Sequence, residues 1–481
     1  MKEEGWSKRA FVGVIVSITL SALCLQTGWA QKEIPPNSYL LKLVVTDTSG
    51  KSVADADVIL DEATVGITDE TGLFILLRKP FPSGAHKLVV SRLGFVSERK
   101  SIELPSDATK PGLSLEIQLK EESPSVKQKY TVRGTSGGEK PNYQVVQIFY
   151  ATDRKDTGTK DVELRYANER SAGELERGTC EVSIPRDHRM GEVESPSLMR
   201  LEFRPDPNKH IVLQSIDALP TDTFYQKLNS KVERSSQREV MVFIHGYNVG
   251  FEKAARNTAQ LAYDLGFDGA PILYSWPSRN RMLAYTEDED TIQWTAFHLR
   301  AFLEELAART HAAKIHVIAH SLGNRALLSA LQVMAAEHHD AKKPIFDQVI
   351  LAAPDIGADT FQLMAKEIEP ITRRITLYAS ANDNALLLSQ IMHGAMRAGE
   401  GKYLLITPGV DTVDASAVKT EFLGHLYYGT SDSIISDIRQ ILLKEAPPGK
   451  RHLLPAMWLN KLPYWIVPTP KPRNSEAGEL N

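Results

Sequence analysis

The stretch Ile315-His316-Val317-Ile318-Ala319-His320-Ser321-Leu322-Gly323 decides the fold. Its first half reads as an apolar, buried strand, and Ala319 to Gly323 close that strand with a small-x-Ser-x-Gly turn into a helix. The turn is so sharp that the residues two before and two after the serine must be nearly free of side chain, and Ala319 and Gly323 meet that demand. This is the form of a nucleophile elbow, which is expected to leave the Ser321 hydroxyl exposed and open to activation.

Such a pentapeptide recurs by chance, so its surroundings carry the weight. Upstream, Val240-Met241-Val242-Phe243-Ile244 is a second short apolar run, ending in His245-Gly246-Tyr247-Asn248 before a helix-like stretch from Phe251 to Leu265. In α/β-hydrolase folds the loop after that strand gives one backbone N–H to the oxyanion hole, and the residue after the nucleophile gives the other. The expected donors are therefore Tyr247 and Leu322. Acyl transfer needs them because its tetrahedral intermediate puts negative charge on the former carbonyl oxygen. Gly246 suits a loop whose backbone approaches substrate closely.

The same fold requires an acid and then a histidine further on, each just after a strand. The run Arg374 to Ser380 reads as a buried strand and is followed by Asp383; later His425 lies in a loop ahead of the helix-like stretch Ser433 to Leu443. His425 would take the Ser321 proton and return it to the leaving group, while Asp383 would fix the imidazole tautomer. Asp355, after the strand-like run Val349 to Ala353, is the rival acid. Beyond the strand Pro271 to Ser275, Trp276-Pro277-Ser278 falls at the sheet edge where α/β folds bind ligands. Trp276 is thus a substrate-binding candidate beside His245, Gly246 and Asn248, with a packed core tryptophan as the other reading.

From about Val145 to Leu443 the chain resembles a bacterial α/β-hydrolase family of unknown function within the esterase/lipase superfamily. The matching phrases are Phe149-Tyr150-Ala151-Thr152-Asp153-Arg154, Val182-Ser183-Ile184-Pro185, Phe243 to Asn248, Tyr274 to Ser278, Ala319 to Arg325, Ala352-Ala353-Pro354-Asp355 and Asn382 to Leu386. The resemblance implies the hydrolase fold with Ser321 as nucleophile, and it supports Asp383 and His425 by position. It implies no particular substrate.

A chain of 481 residues, 42% of them hydrophobic, has material for a large core and more than one domain. With 56 Lys and Arg against 60 Asp and Glu, the surface is near neutral and nucleic acid is an unsuited partner. No phosphate-binding loop, dinucleotide fingerprint or H-E-x-x-H motif occurs. His338-His339-Asp340 reads as a solvated helix end rather than a ligand set, so neither metal nor cofactor is expected.

Lys2, Lys8 and Arg9 precede an apolar run from Ala10 to Leu25 and then Gly28-Trp29-Ala30, which reads as a signal peptide (1–30) cut after Ala30. The mature protein would then be secreted or periplasmic with no integral membrane span, a retained anchor being the alternative. Cys180 would be its one cysteine, a small buried hydrophobe. Residues 37–122 alternate short apolar strands with Gly- and Asp-rich turns, which argues an all-β sandwich. Val53 to Val58, Thr68 to Phe74 and Leu93-Gly94-Phe95 resemble the carboxypeptidase regulatory-like, transthyretin-type domain. A folding or spacing role is the first reading for it, binding of an envelope component the second. A flexible linker (123–142), the hydrolase domain (143–446, a mostly parallel sheet with helices on both faces) and a partly disordered tail (447–481) complete the expected order.

The expected function is that of a secreted serine hydrolase of esterase or lipase type, cleaving an ester in a small molecule, lipid or acylated glycan through an acyl-enzyme. A hydrolase fold that has lost turnover and serves as an envelope scaffold is the rival class. Thioester and amide hydrolysis remain open within the first.

Overall fold

The computed structural model describes residues 39–468, except 55, 62, 70, 79–83, 93–94, 105–111, 122–140, 174, 189, 191–204, 282–283, 341–342, 419–431 and 454–455. The expected signal peptide, most of the linker and the end of the tail lie outside the described residues.

The N-terminal part contains β1 (Tyr39–Asp47), β2 (Asp57–Leu60), β3 (Ala63–Ile67), β4 (Leu73–Arg78), β5 (Gly84–Ser91), β6 (Phe95–Val96), β7 (Glu98–Leu104) and β8 (Gly112–Glu121). They form two four-stranded sheets, ordered β4-β1-β8-β6 and β3-β2-β5-β7. Leu41, Leu43 and Val45, at every second position of β1, meet Val58, Leu60, Leu88 and Val90 in one apolar core. That is the period-2 pattern of a sandwich buried on its inner face.

The second part is built on one 11-stranded sheet. Its strands are β9 (Tyr143–Thr152), β12 (Glu176–Pro185), β13 (Val212–Ala218), β14 (Glu239–Ile244), β15 (Ala270–Ser275), β16 (Lys314–His320), β17 (Phe346–Ala352), β18 (Thr372–Ala379), β19 (Val410–Asp414), β20 (Met457–Leu459) and β21 (Leu462–Ile466). The order is β13-β12-β9-β15-β14-β16-β17-β18-β19-β21-β20, parallel from β9 to β21. A side hairpin, β10 (Arg154–Asp156) with β11 (Tyr166–Arg170), leaves the end of β9.

Every residue of β14 and β15 is buried, as a strand covered on both faces requires. Val240, Val242 and Ile244 face one core with α1 (Thr221–Arg234), α3 (Tyr285–Arg309), α4 (Gly323–Glu337) and α5 (Ala358–Ile368). Met241 and Phe243 face the other, with α2 (Phe251–Leu265) and α7 (Asp432–Lys444). Burying each such side chain contributes roughly 1.5–3 kcal/mol. Cys180 is fully buried in the second core.

The hairpin β20–β21 extends the sheet beyond β19, so the expected domain end at 446 falls short of the sheet edge. Helix α6 (Asn384–His393), which follows β18, packs against β4 of the sandwich.

Candidate active site

Ser321 follows the C-terminal end of β16, the first of the two residues between that strand and α4. Its φ is +51°, a left-handed value that is uncommon for a residue with a side chain and costs about 1–2 kcal/mol. The neighbours hold it there. Ser321 N–H donates to Ala352 O at 3.0 Å, and Ser321 O accepts from Asn324 N at 3.1 Å, Asn324 Nδ2 at 2.9 Å and Asp355 N at 3.3 Å. A Cβ on Gly323 would lie 2.5 Å from His245 O, so glycine is what allows α4 to start against the neighbouring loop.

The residue is only 1% exposed, against the expectation of an exposed hydroxyl. The loop after β14 packs against it. Gly246 lies so close that a Cβ there would stand 2.8 Å from Ser321 Cβ and 2.6 Å from His320 Nδ1. The backbone at His245 and Gly246 therefore packs directly against the elbow, with Tyr247 the next residue along the chain. Leu322 is the N-cap of α4, so its N–H is among the donors that a helix start leaves without an intrahelical partner.

His245, the first residue of this loop, is held by its neighbours. It is buried, its Nδ1 pairs with Gly246 O at 2.8 Å, and its Nε2 lies 3.3 Å from both Arg154 Nη2 and Ser275 Oγ. Burial, with the positive charge of Arg154 beside it, pushes its pKa down to about 3. The ring is therefore neutral, with Nδ1–H donating to Gly246 O and Nε2 accepting. Trp276 takes the packed reading. It is fully buried, stacks on the His245 ring at 5.3 Å and 11°, and donates its indole N–H to His245 O at 2.7 Å.

Asn248 has φ +58° and donates its backbone N–H to Ser278 Oγ at 2.9 Å, which closes the loop's turn. Ser278 Oγ in turn donates to Asp288 Oδ2 at 2.7 Å, and Arg279 N–H donates to Asp288 Oδ1 at 2.8 Å. Burial lifts the Asp288 pKa to about 6. Tyr247 anchors its hydroxyl on Arg281 O at 2.9 Å and sets its ring 5.2 Å from that of Tyr285. Arg154, Ser278 and Asp288 have no signal in the sequence that ties them to this loop.

The two candidate acids differ in their surroundings. Asp355, beyond β17, is saturated: Tyr285 OH donates to Oδ2 at 2.5 Å, Ser389 Oγ donates to Oδ1 at 2.6 Å, and Arg397 Nε and Arg325 Nη2 lie 3.4 and 3.6 Å from Oδ1. Arg325 Nε also holds Asp355 O at 2.5 Å. Asp383, beyond β18, is 2% exposed and caps α6 by accepting the Leu386 N–H on Oδ1 at 2.9 Å. His425 falls in 419–431, outside the described residues, after β19 and before α7.

A cavity of about 370 Å³ opens between Thr372, Arg374, Val410 and Trp465. It lies at the N-terminal ends of β18 and β19, the opposite edge of the sheet from Ser321. It has no part in this site.

The parallel sheet, the helices on both its faces and the serine at a strand-to-helix elbow define an α/β hydrolase. Residues 221–445 match the family model of an alpha/beta hydrolase of unknown function (DUF900). No curated protein sequence gives a significant match. Among solved structures, the chain is similar to 3-chlorocatechol 1,2-dioxygenase from Rhodococcus opacus 1CP at 13% identity, with 18% of this chain and 61% of that one covered and a TM-score of 0.14. It is similar to the major pilin subunit of Bacillus cereus at 13%, with 31% and 39% covered and a TM-score of 0.14. For the acylaminoacyl peptidase of Pyrococcus horikoshii the values are 10%, 80% and 53%, with a TM-score of 0.27. The chain thus spans less than two thirds of each of these three. Likenesses this slight carry no argument about function. No helix among the described residues is long and apolar enough to cross a membrane.

Proposed function

We propose that the domain is a serine hydrolase that cleaves carboxylic esters through an acyl-enzyme. The observation that carries this reading is the Ser321 backbone at φ +51°, tied by four hydrogen bonds beneath the loop that holds Tyr247 and beside the helix start at Leu322. Strain of this kind persists only where the surroundings over-determine it, and it clusters at reacting centres.

In this reading Ser321 Oγ attacks the ester carbonyl carbon as its proton passes to His425, and the oxyanion is held by the N–H groups of Tyr247 and Leu322. The carbon–oxygen bond to the alcohol then breaks while His425 returns the proton to the leaving oxygen. Water repeats the two transfers and frees the acid. Asp383 orients His425, and Asp355 holds Tyr285 and the turn beneath Ser321. A leader cut after Ala30 would place the enzyme in the envelope or outside it, where an acylated lipid or glycan is a fitting substrate, and the β-sandwich would bind or space the enzyme there.

The test is to treat purified protein with a fluorophosphonate probe, locate the adduct by peptide mass spectrometry, and assay p-nitrophenyl esters of several chain lengths alongside Ser321→Ala. An adduct on Ser321, ester turnover, and loss of both in a folded Ser321→Ala variant is the expected result. Folded wild-type protein that takes no probe and turns over no ester would favour the scaffold.

A further inference from the structure

The Arg154 side chain is fully buried, and its guanidinium reaches three separate segments. Nε donates to Ser275 Oγ at 2.8 Å, at the end of β15. Nη1 donates to Asn168 Oδ1 at 2.7 Å, and at 3.4 Å to Ala167 O and Ser278 O. Nη2 donates to Val249 O at 2.7 Å and faces His245 Nε2 at 3.3 Å. His245 and Val249 lie two residues before and two residues after Tyr247, so one nitrogen of one side chain grips both ends of the loop over Ser321.

The planar fork of arginine suits this task, because its donors leave the carbon at fixed angles and lock the groups they bind relative to one another. The neutral His245 ring, with its Nε2 lone pair available, completes the grip. The Trp276 indole on His245 O and Ser278 Oγ on the Asn248 N–H restrain the same loop from the other side. Loop geometry is what an oxyanion hole depends on, since its donors must aim at charge that exists only in the transition state.

We propose that Arg154 is a positioning residue for ester hydrolysis, setting the Tyr247 N–H over Ser321 by clamping His245 and Val249 together. This rests on the serine hydrolase reading above. A clamp acting through the oxyanion hole affects kcat and leaves KM, because the hole binds the transition state and not the ground-state ester.

The experiment is steady-state kinetics on p-nitrophenyl acetate and butyrate, with fluorophosphonate labelling rates, for wild type and Arg154→Lys in the full chain, folding being checked by circular dichroism. Lysine keeps the charge and loses the fork. The expected result is a kcat about 10- to 100-fold lower with KM within about twofold, and labelling slowed in parallel, since phosphonylation develops charge on the same oxygen. A folded Arg154→Lys protein with kcat within about threefold of wild type would overturn the clamp, as would a loss confined to KM. If that variant does not fold, Asn168→Ala, which removes the nearest side-chain partner of Nη1, decides the matter: a several-fold fall in kcat at constant KM supports the clamp and an unchanged kcat overturns it. Wild-type protein inert to both ester and probe would instead remove the reading on which the clamp rests.

Discussion

Replacing Gly246 by alanine adds one methyl group at the tightest point of the site. Its Cβ would stand 2.8 Å from Ser321 Cβ, 2.6 Å from His320 Nδ1 and 3.1 Å from His320 Cε1. Ordinary carbon–carbon contact begins near 3.5 Å, so the loop and the elbow must part by about 0.7 Å or more. Neither side gives easily. Ser321 Cβ is attached to a backbone held by four hydrogen bonds, and the loop is gripped by Arg154, Trp276 and Ser278. Overpacking of this kind costs about 1–3 kcal/mol of stability, and a misplacement near 1 Å between reacting groups costs about 100-fold in rate. Gly246→Ala is therefore expected to fold with a lowered Tm while losing about 30- to 100-fold in kcat/KM on a p-nitrophenyl ester. The assay is that kinetic ratio beside a thermal melt. A folded variant within about threefold of wild type would show that the loop yields freely, and that its closeness to Ser321 does not set the geometry of the reaction.

The choice of acid is tested by Asp383→Asn and Asp355→Asn, compared in kcat and in Tm. The first is expected to lower kcat by about 10³- to 10⁴-fold with a modest change in Tm, the second to lower Tm, since it disturbs the bonds from Tyr285 and Ser389, with the smaller loss in kcat. The reverse order would transfer the acid's role to Asp355. Asp288 makes a pH prediction. Its pKa rises on folding from 3.8 to about 6, so the folded protein keeps a proton that the unfolded chain releases, and stability falls as pH rises through that window, by about 3 kcal/mol at most. Denaturant melts from pH 3.8 to 7, referred to Asp288→Asn, should show this loss and a flat difference above pH 6; a difference that does not change between pH 4 and 6 would refute it.

The parts of the site that could be read in the sequence are those whose constraints act between near neighbours. A turn from strand to helix in one step excludes side chains two residues on either side, so Ala319 and Gly323 mark Ser321 without reference to the rest of the chain. The loop from His245 to Asn248 is legible for the same reason, and so is the strand that puts Asp383 after β18, whereas β19, which precedes His425, was not read from the sequence. Other parts depend on contacts across long separations. The sequence offers Asp355 as the rival acid to Asp383, and gives no sign that Tyr285 and Ser389, 70 and 34 residues away, sit on its two oxygens. The expectation of an exposed serine failed because exposure depends on what packs against a residue, and Gly246, 75 positions earlier, is one such neighbour. His245 and Trp276 looked like substrate contacts because they adjoin the site in sequence, yet adjacency does not show that both side chains are buried and that their rings stack on one another. Arg154 was visible only as one letter of a family phrase, since a lone arginine after a strand has no local reason to be buried. What keeps it there is a set of acceptors from Ala167 to Ser278, brought together only when β9, β15 and the loop after β14 stand side by side. The serine at the elbow is thus legible from its near neighbours, whereas the contacts that hold it and the adjoining loop come from the whole sheet. Substitutions remote in sequence from Ser321 should for that reason reach kcat without touching the substrate.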